Sequence, residues 1–219
     1  MSGPEVAVMD YGVGNLLSVR RALEHCGATV RVTADPDTLK SAARVILPGV
    51  GAFANAMAEL RNRGLDDVAK QVAASGIPLL GICLGMQMLL DASEEFGVTA
   101  GLGLIPGRVV PVASTTAAGD PQKIPHIGWN ALVLPERGAG WDGTVLRDVR
   151  PGEAVYFVHS FAANPHDPAH RVADCLYGGQ PISAVIARGN VLGCQFHPEK
   201  SGEVGLKILR TFLEAPSAS

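Results

Sequence analysis

The chain lacks the features of a nucleic-acid binder, a membrane protein or a disulfide-stapled secreted domain. Eighteen Lys and Arg residues face 21 Asp and Glu, for a formal net charge of −3, and aromatic residues make up only 5%. No basic cluster interleaved with aromatics is present, so neither nucleic acid nor a membrane surface is expected as a partner. The four cysteines, Cys26, Cys83, Cys175 and Cys194, show no C-x-x-C spacing, which argues against a zinc site or a disulfide framework. The longest apolar stretch, Ile77–Leu90, is interrupted by Gly, Cys and Gln and is too short to cross a bilayer. The N-terminus passes directly into a strand pattern at Glu5-Val6-Ala7-Val8-Met9, without the order of a signal peptide. A reduced, cytoplasmic setting is therefore expected.

What is present is an alternation of short apolar runs and helical periods. Strands are predicted over Val6–Met9, Ala28–Thr33, Arg44–Leu47 and Ile77–Ile82, with helices over Asn15–Cys26, Ala52–Asn62, Leu65–Ala74 and Leu84–Asp91. That order predicts an α/β fold with a largely parallel sheet covered by helices on both faces. After Gly107 strands dominate: Arg108–Val112, Ala131–Leu134, Ala154–Val158, Arg171–Tyr177, Ser183–Ala187 and Val191–Phe196. These read as additional antiparallel strands. A final helix over Ser201–Glu214 has Ser201 as its N-cap and an apolar face of Val204, Ile208, Leu209, Phe212 and Leu213. With 219 residues, one domain over 5–214 is expected, with a disordered tail at 215–219. Ala113–Gln122 is small and polar and reads as a mobile loop.

Cys83 is the most informative residue. It sits in Gly81-Ile82-Cys83-Leu84-Gly85, between a strand pattern and a helical one. Small residues two before and two after a nucleophile are what a sharp strand-to-helix turn demands, because side chains there would collide. The same residues could form a tight turn around a buried, unreactive thiol. The later segment Gln195-Phe196-His197-Pro198-Glu199 adds an imidazole and a carboxylate two positions apart, again at a strand end, where open α/β sheets place their sites. Cys83 as nucleophile, His197 as base and Glu199 as its orienting group make a triad suited to acyl transfer through a thioester. A free thiol, with a pKa of ~8.5, is mostly un-ionised at neutral pH, and a neighbouring imidazolium and a helix N-terminus favour the thiolate.

Pro48-Gly49-Val50-Gly51 follows the third strand. It could be a plain loop. Beside Cys83, its backbone reads as half of an oxyanion hole, Val50 supplying one amide and Leu84 the other. Gly12-Val13-Gly14-Asn15 fails the dinucleotide-binding pattern because Leu17 stands where the third glycine is required. His25, His166 and His170 read as exposed or capping residues. His159 ends a strand, where it could face the site, but reads rather as a buried, hydrogen-bonded structural histidine.

The segments G-I-C-L-G-M-Q, P-G-V-G and H-P-E, in this order, resemble the class-I triad glutamine amidotransferases. M-D-Y-G-V-G-N-L at 9–16, I-P-H-I-G-W-N at 124–130, Y-F-V-H-S-F at 156–161 and Q-F-H-P-E-K-S-G at 195–202 resemble, more narrowly, the glutaminase subunits of imidazole glycerol phosphate synthase. Ile127 stands where methionine is usual in that group. The resemblance implies hydrolysis of glutamine to glutamate and ammonia without metal or organic cofactor. It also implies that Gly51, Gln87, Ser160 and Phe161 hold the substrate and that Asn15, Tyr156 and Lys200 lie at an interface. The implied partner is a (β/α)-barrel synthase subunit, which uses the ammonia to make imidazole glycerol phosphate and aminoimidazole carboxamide ribotide in histidine biosynthesis.

Chain length points to a partner as well. One amidase-type domain uses these residues, leaving no stretch for an ammonia acceptor and no P-loop. The rival readings are the glutaminase of another amidotransferase (anthranilate or pyridoxal phosphate synthase type), a silent binding subunit, and a free-standing cysteine peptidase. Lys200 and the I-P-H-I-G-W-N segment argue against the first, and an intact triad against the second.

Overall fold

A computed structural model describes residues 3–136 and 140–214 as a single α/β domain. In chain order its first half contains β1 (Glu5–Met9), α1 (Leu16–His25), β2 (Thr29–Thr33), α2 (Pro36–Ser41), β3 (Val45–Gly49), α3 (Phe53–Asn62), α4 (Leu65–Ala74), β4 (Leu79–Cys83) and α5 (Leu84–Met88). Then come β5 (Ala92–Ser93), β6 (Thr99–Ala100), β7 (Gly107–Pro111), β8 (His126–Ala131), β9 (Ala154–His159) and β10 (Phe161–Pro165). The chain closes with β11 (Arg171–Tyr177), β12 (Gln180–Arg188), β13 (Val191–Cys194) and α6 (Gly202–Glu214).

The central sheet has the order β11-β12-β13-β4-β3-β1-β2. The five strands from β13 to β2 run parallel, and β11 and β12 are added antiparallel at one edge. The parallel strands are almost wholly apolar because both of their faces are covered. Successive residues point to opposite sides: Val6, Val8, Ile46, Leu80 and Ile82 pack with α1 and α6, whereas Ala7, Met9, Val45, Leu47 and Leu79 pack with α3 and α4. Each helix buries one stripe, such as Val19, Ala22 and Leu23 on α1 or Ile208, Leu209 and Phe212 on α6. Truncating a fully buried member such as Leu209 to Ala would cost ~2–5 kcal/mol.

A second sheet, β10-β7-β5-β6, and the hairpin β8–β9 sit beside this frame. The structure corrects the sequence reading here. The strand expected over Ala131–Leu134 lies earlier, over His126–Ala131, and pairs with β9 from His126 opposite His159 to Ala131 opposite Ala154. Pairing with β9 outweighs the poor strand propensity of Gly128, while Val133 makes only an isolated bridge to Asp174. β10 contains Asn164 and Pro165 and joins the sheet through β7. The helix α2, capped by the Asp35 carboxylate at Thr38 N, also escapes a reading based on apolar period.

Ser201 does not serve as a simple helix cap: its hydroxyl donates to the His197 carbonyl at 2.6 Å and accepts the Tyr156 N–H at 3.0 Å. Residues 113–122 form a hydrogen-bonded turn, with the Ala117 N–H donating to Gly178 O and the Gln180 side chain donating to Thr115 O. The tail expected at 215–219 lies outside the described residues. Among the described residues, no helix is long and apolar enough to cross a membrane.

Candidate active site

The parallel strands β3, β4 and β13 end side by side, with Gly49 opposite Cys83 and Cys194 opposite Ile82. β4 runs straight into α5 through Cys83, whose φ of 55° and ψ of −110° are unusual for a residue with a side chain. That strain is the mark of an elbow that lifts a nucleophile above the sheet. Both flanking glycines are required. A Cβ at Gly81 would lie 2.6 Å from the Gly85 carbonyl oxygen, and one at Gly85 would overlap the Leu47 carbonyl.

His197 follows β13 in a turn closed by a 3-10 helix over Pro198–Lys200. Its Nδ1 lies 2.8 Å from Glu199 Oε1, and both side chains are almost completely buried. Because the carboxylate can only accept, Nδ1 carries the proton and Nε2 is free for the thiol. Burial opposes charge on this ring, but hydrogen bonds to Cys83 and Glu199 and their negative charge outweigh it, raising the His197 pKa to about 9. An imidazolium beside Cys83 is thereby favoured across the neutral range.

Cys83, Leu84, Val50, Gly51, Gln87, Ser160, Phe161 and His197 border one cavity of about 310 Å³. That is at the lower end of the range for small-molecule sites (~300–1,000 Å³). Glu199 stands behind His197 and does not line it. Gln87 Nε2 donates to Phe161 O at 2.9 Å and to Gln195 Oε1 at 3.0 Å, and Gln195 Nε2 points at Cys83 Sγ at 3.8 Å. With both N–H groups of Gln87 engaged, its amide oxygen is what remains to accept a donor from a ligand.

Three residues that the sequence did not mark join the site, Glu95, Pro125 and Val158, and so does His159 at the end of its strand. Glu95 Oε2 accepts the Phe53 N–H at 2.6 Å, closing the N-terminus of α3. It lies in a loop with no periodic signal, so nothing in its local sequence marks it. His159 is buried and hydrogen-bonded, as expected, but it also forms part of the cavity wall. Gln195, next to the expected triad, carries a buried amide that reading by motif passes over.

Asn15, Tyr156 and Lys200 do not line the cavity. Asn15 caps α1, its side-chain oxygen accepting Ser18 N–H at 3.4 Å. The Tyr156 carbonyl accepts His197 N–H at 3.0 Å, and the Lys200 N–H donates to His197 O at 3.0 Å. Nearby, Leu17, Ile127 and Trp129 are more than half exposed. No group of three or more His, Cys, Asp or Glu side chains among the described residues is arranged to hold a metal ion.

The sequence model of the family "Glutamine amidotransferase class-I" matches residues 7–215. The chain is 54% identical to imidazole glycerol phosphate synthase subunit HisH 1 of Legionella pneumophila (strain Lens), covering 95% of this chain and 98% of that protein. It is 49% identical to the HisH subunit of Methylococcus capsulatus (strain Bath), with 95% of each covered. It is 47% identical to that of Geobacillus sp. (strain WCH70), covering 94% of this chain and 95% of that protein. The fold is similar to that in the structure of PurLQS from Thermotoga maritima, with a TM-score of 0.71 at 22% identity over 97% of this chain and 98% of that one.

Proposed function

For this chain, which belongs to the class-I glutamine amidotransferases and, within them, to the HisH subunits of imidazole glycerol phosphate synthase, we propose a glutaminase reaction at Cys83. Cys83 Sγ attacks the carboxamide carbon of glutamine. The C–N bond breaks as His197 gives its proton to the departing nitrogen, releasing ammonia and leaving a glutamyl thioester. Water, losing a proton to His197, then attacks the thioester; glutamate leaves and the thiol is restored. Glu199 holds the ring and its tautomer. The amides of Val50 and Leu84 receive the oxyanion, and Gly51, Gln87, Ser160 and Phe161 hold the substrate. Residues 5–214 act as one amidotransferase unit in the cytoplasm.

The single observation that carries this reading is the strained Cys83 elbow, with the buried His197–Glu199 pair delivered by the neighbouring strand to the same cavity. The ammonia serves a (β/α)-barrel synthase subunit that makes imidazole glycerol phosphate and aminoimidazole carboxamide ribotide. The exposed apolar side chains of Leu17, Ile127 and Trp129, close to Asn15 and Tyr156 in the chain, support docking on this side. The test mixes the chain with that barrel subunit and its nucleotide substrate and measures glutamate and imidazole glycerol phosphate. Formation of both from glutamine is expected; glutamate without the second product would point to another synthase.

A further inference from the structure

Two histidines outside the triad, His159 in the cavity wall and His126 behind it, form a hydrogen-bonded chain whose proton positions are fixed by its ends. His159 Nδ1 lies 2.9 Å from the Phe161 carbonyl oxygen. A carbonyl only accepts, so Nδ1 carries the hydrogen and Nε2 of a neutral ring is an acceptor. His126 Nδ1, 2.9 Å from His159 Nε2, must then be the donor, which leaves His126 Nε2 bare. That nitrogen faces the Asn130 side-chain amide at 3.4 Å. The same Asn130 nitrogen donates to Leu176 O at 2.9 Å, which sets the amide orientation. Every link thus runs one way, from Asn130 through His126 and His159 to Phe161 O.

The surroundings hold the chain in this form. The His126 ring is stacked between Tyr177, at 4.1 Å, and Phe157, at 4.9 Å. Burial lowers the pKa of His126 and, more strongly, that of His159, to about 4; at His159 the bond to Phe161 O opposes the shift and the neighbouring His126 and His197 add to it. A proton on either ring would set two donors against each other along the chain.

The chain ends where substrate is held. Phe161 O accepts a second hydrogen bond from Gln87 Nε2 at 2.9 Å, and Gln87 leads through Gln195 to Cys83 Sγ. We propose that His126 and His159, as neutral Nδ1–H tautomers, are positioning residues that fix the Phe161 carbonyl and through it Gln87 for the binding of glutamine. They do not touch the reacting atoms of the scissile amide. The inference rests on the glutaminase reading above, with Gln87 and the Ser160–Phe161 strip as the substrate-holding wall.

The test uses the complex with the barrel subunit and its nucleotide substrate, with glutamine as the variable ligand. His159→Gln places an amide near Nε2 and removes the donor to Phe161 O, whereas His159→Asn places an amide near Nδ1 and keeps it. Loss of one such bond is expected to raise KM for glutamine about five- to tenfold in H159Q, with kcat changed less than about twofold. H159N should recover most of that loss. In the unmodified protein, nitrogen-15 correlation spectra should show His126 and His159 protonated at Nδ1 and bare at Nε2 at neutral pH, a readout that no variant's folding affects. Protonation at Nε2 of either ring, or equal KM in H159Q and the unmodified complex, would overturn the proposal. An unmodified complex that forms no glutamate would instead overturn the underlying glutaminase reading, whatever the tautomers.

Discussion

Tyr11 Oη donates to the Pro48 carbonyl oxygen at 2.7 Å, tying the start of the Pro48–Gly51 loop to the core. Burial raises the Tyr11 pKa, so the phenol stays a donor. The next residue is equally confined: a Cβ on Gly49 would lie 2.8 Å from both Gly85 N and Tyr11 Oη. Gly51, by contrast, has φ of +92° and open space where a Cβ would be. The loop is therefore closely packed at Gly49, whereas Gly51 holds a left-handed φ beside open space.

Gly51→Pro tests that division. Proline fixes φ near −65° and removes an amide, so the observed conformation is excluded. If the partner and its nucleotide substrate act by turning the Val50 amide into the oxyanion hole, loss of that donor costs ~100- to 1,000-fold in rate. Glutaminase rates for the chain alone, with partner, and with partner plus ligand should rise stepwise in the unmodified protein and stay flat in G51P. Equal rates in all three states of the unmodified protein would refute the switch.

Cys83→Ala should abolish glutamate formation while leaving imidazole glycerol phosphate synthesis from added ammonium salts intact. In the proposed mechanism the thiol takes part in the glutamine half of the reaction only. Glutamine-dependent turnover in this variant would remove Cys83 from the mechanism.

His197→Ala should lower the glutaminase rate by ~10²- to 10⁴-fold, the usual worth of a general acid and base. Glu199→Gln should be milder, because in the proposed chemistry Glu199 orients the ring and carries no proton. Steady-state glutamate production with the partner present orders the two, and a more severe Glu199 variant would reverse the assigned roles.

The same ring makes stability depend on pH. The His197 pKa is raised to about 9 from an unfolded value of ~6.5. Its contribution, on the order of 3 kcal/mol, is therefore full below pH ~6.5 and lost as pH rises through about 9. His159 has the opposite sign: with its pKa lowered to about 4, its contribution is full above pH ~6.5 and lost as pH falls toward 4. Melting temperatures between pH 6 and 10 should fall less steeply for His197→Ala than for the unmodified protein. Parallel curves would show that His197 is not linked to stability.

Much of this architecture was legible from pattern. Strands buried on both faces produce the apolar runs at Val6–Met9 and Arg44–Leu47, and the glycines around Cys83 are dictated by backbone contact across the elbow. The β8–β9 hairpin was misplaced because its pairing joins distant segments and local propensity at Gly128 opposes it. Glu95, Gln195 and the His126–His159 chain were invisible for a related reason. Their roles arise from tertiary neighbours: Gln195 meets Gln87 and Cys83, and His126 meets a histidine 33 positions away. No spacing along the chain encodes such meetings.

The strand order has a consequence for the making of the protein. Gln195 and Cys83 lie 112 positions apart and meet only because β13 inserts beside β4. Contacts this distant are slow to form, and among the described residues β13 is also the last strand in chain order. A chain made only as far as Asn190 holds Cys83 without Gln195, His197 or Glu199, so these four side chains come together only after β13 has been added beside β4.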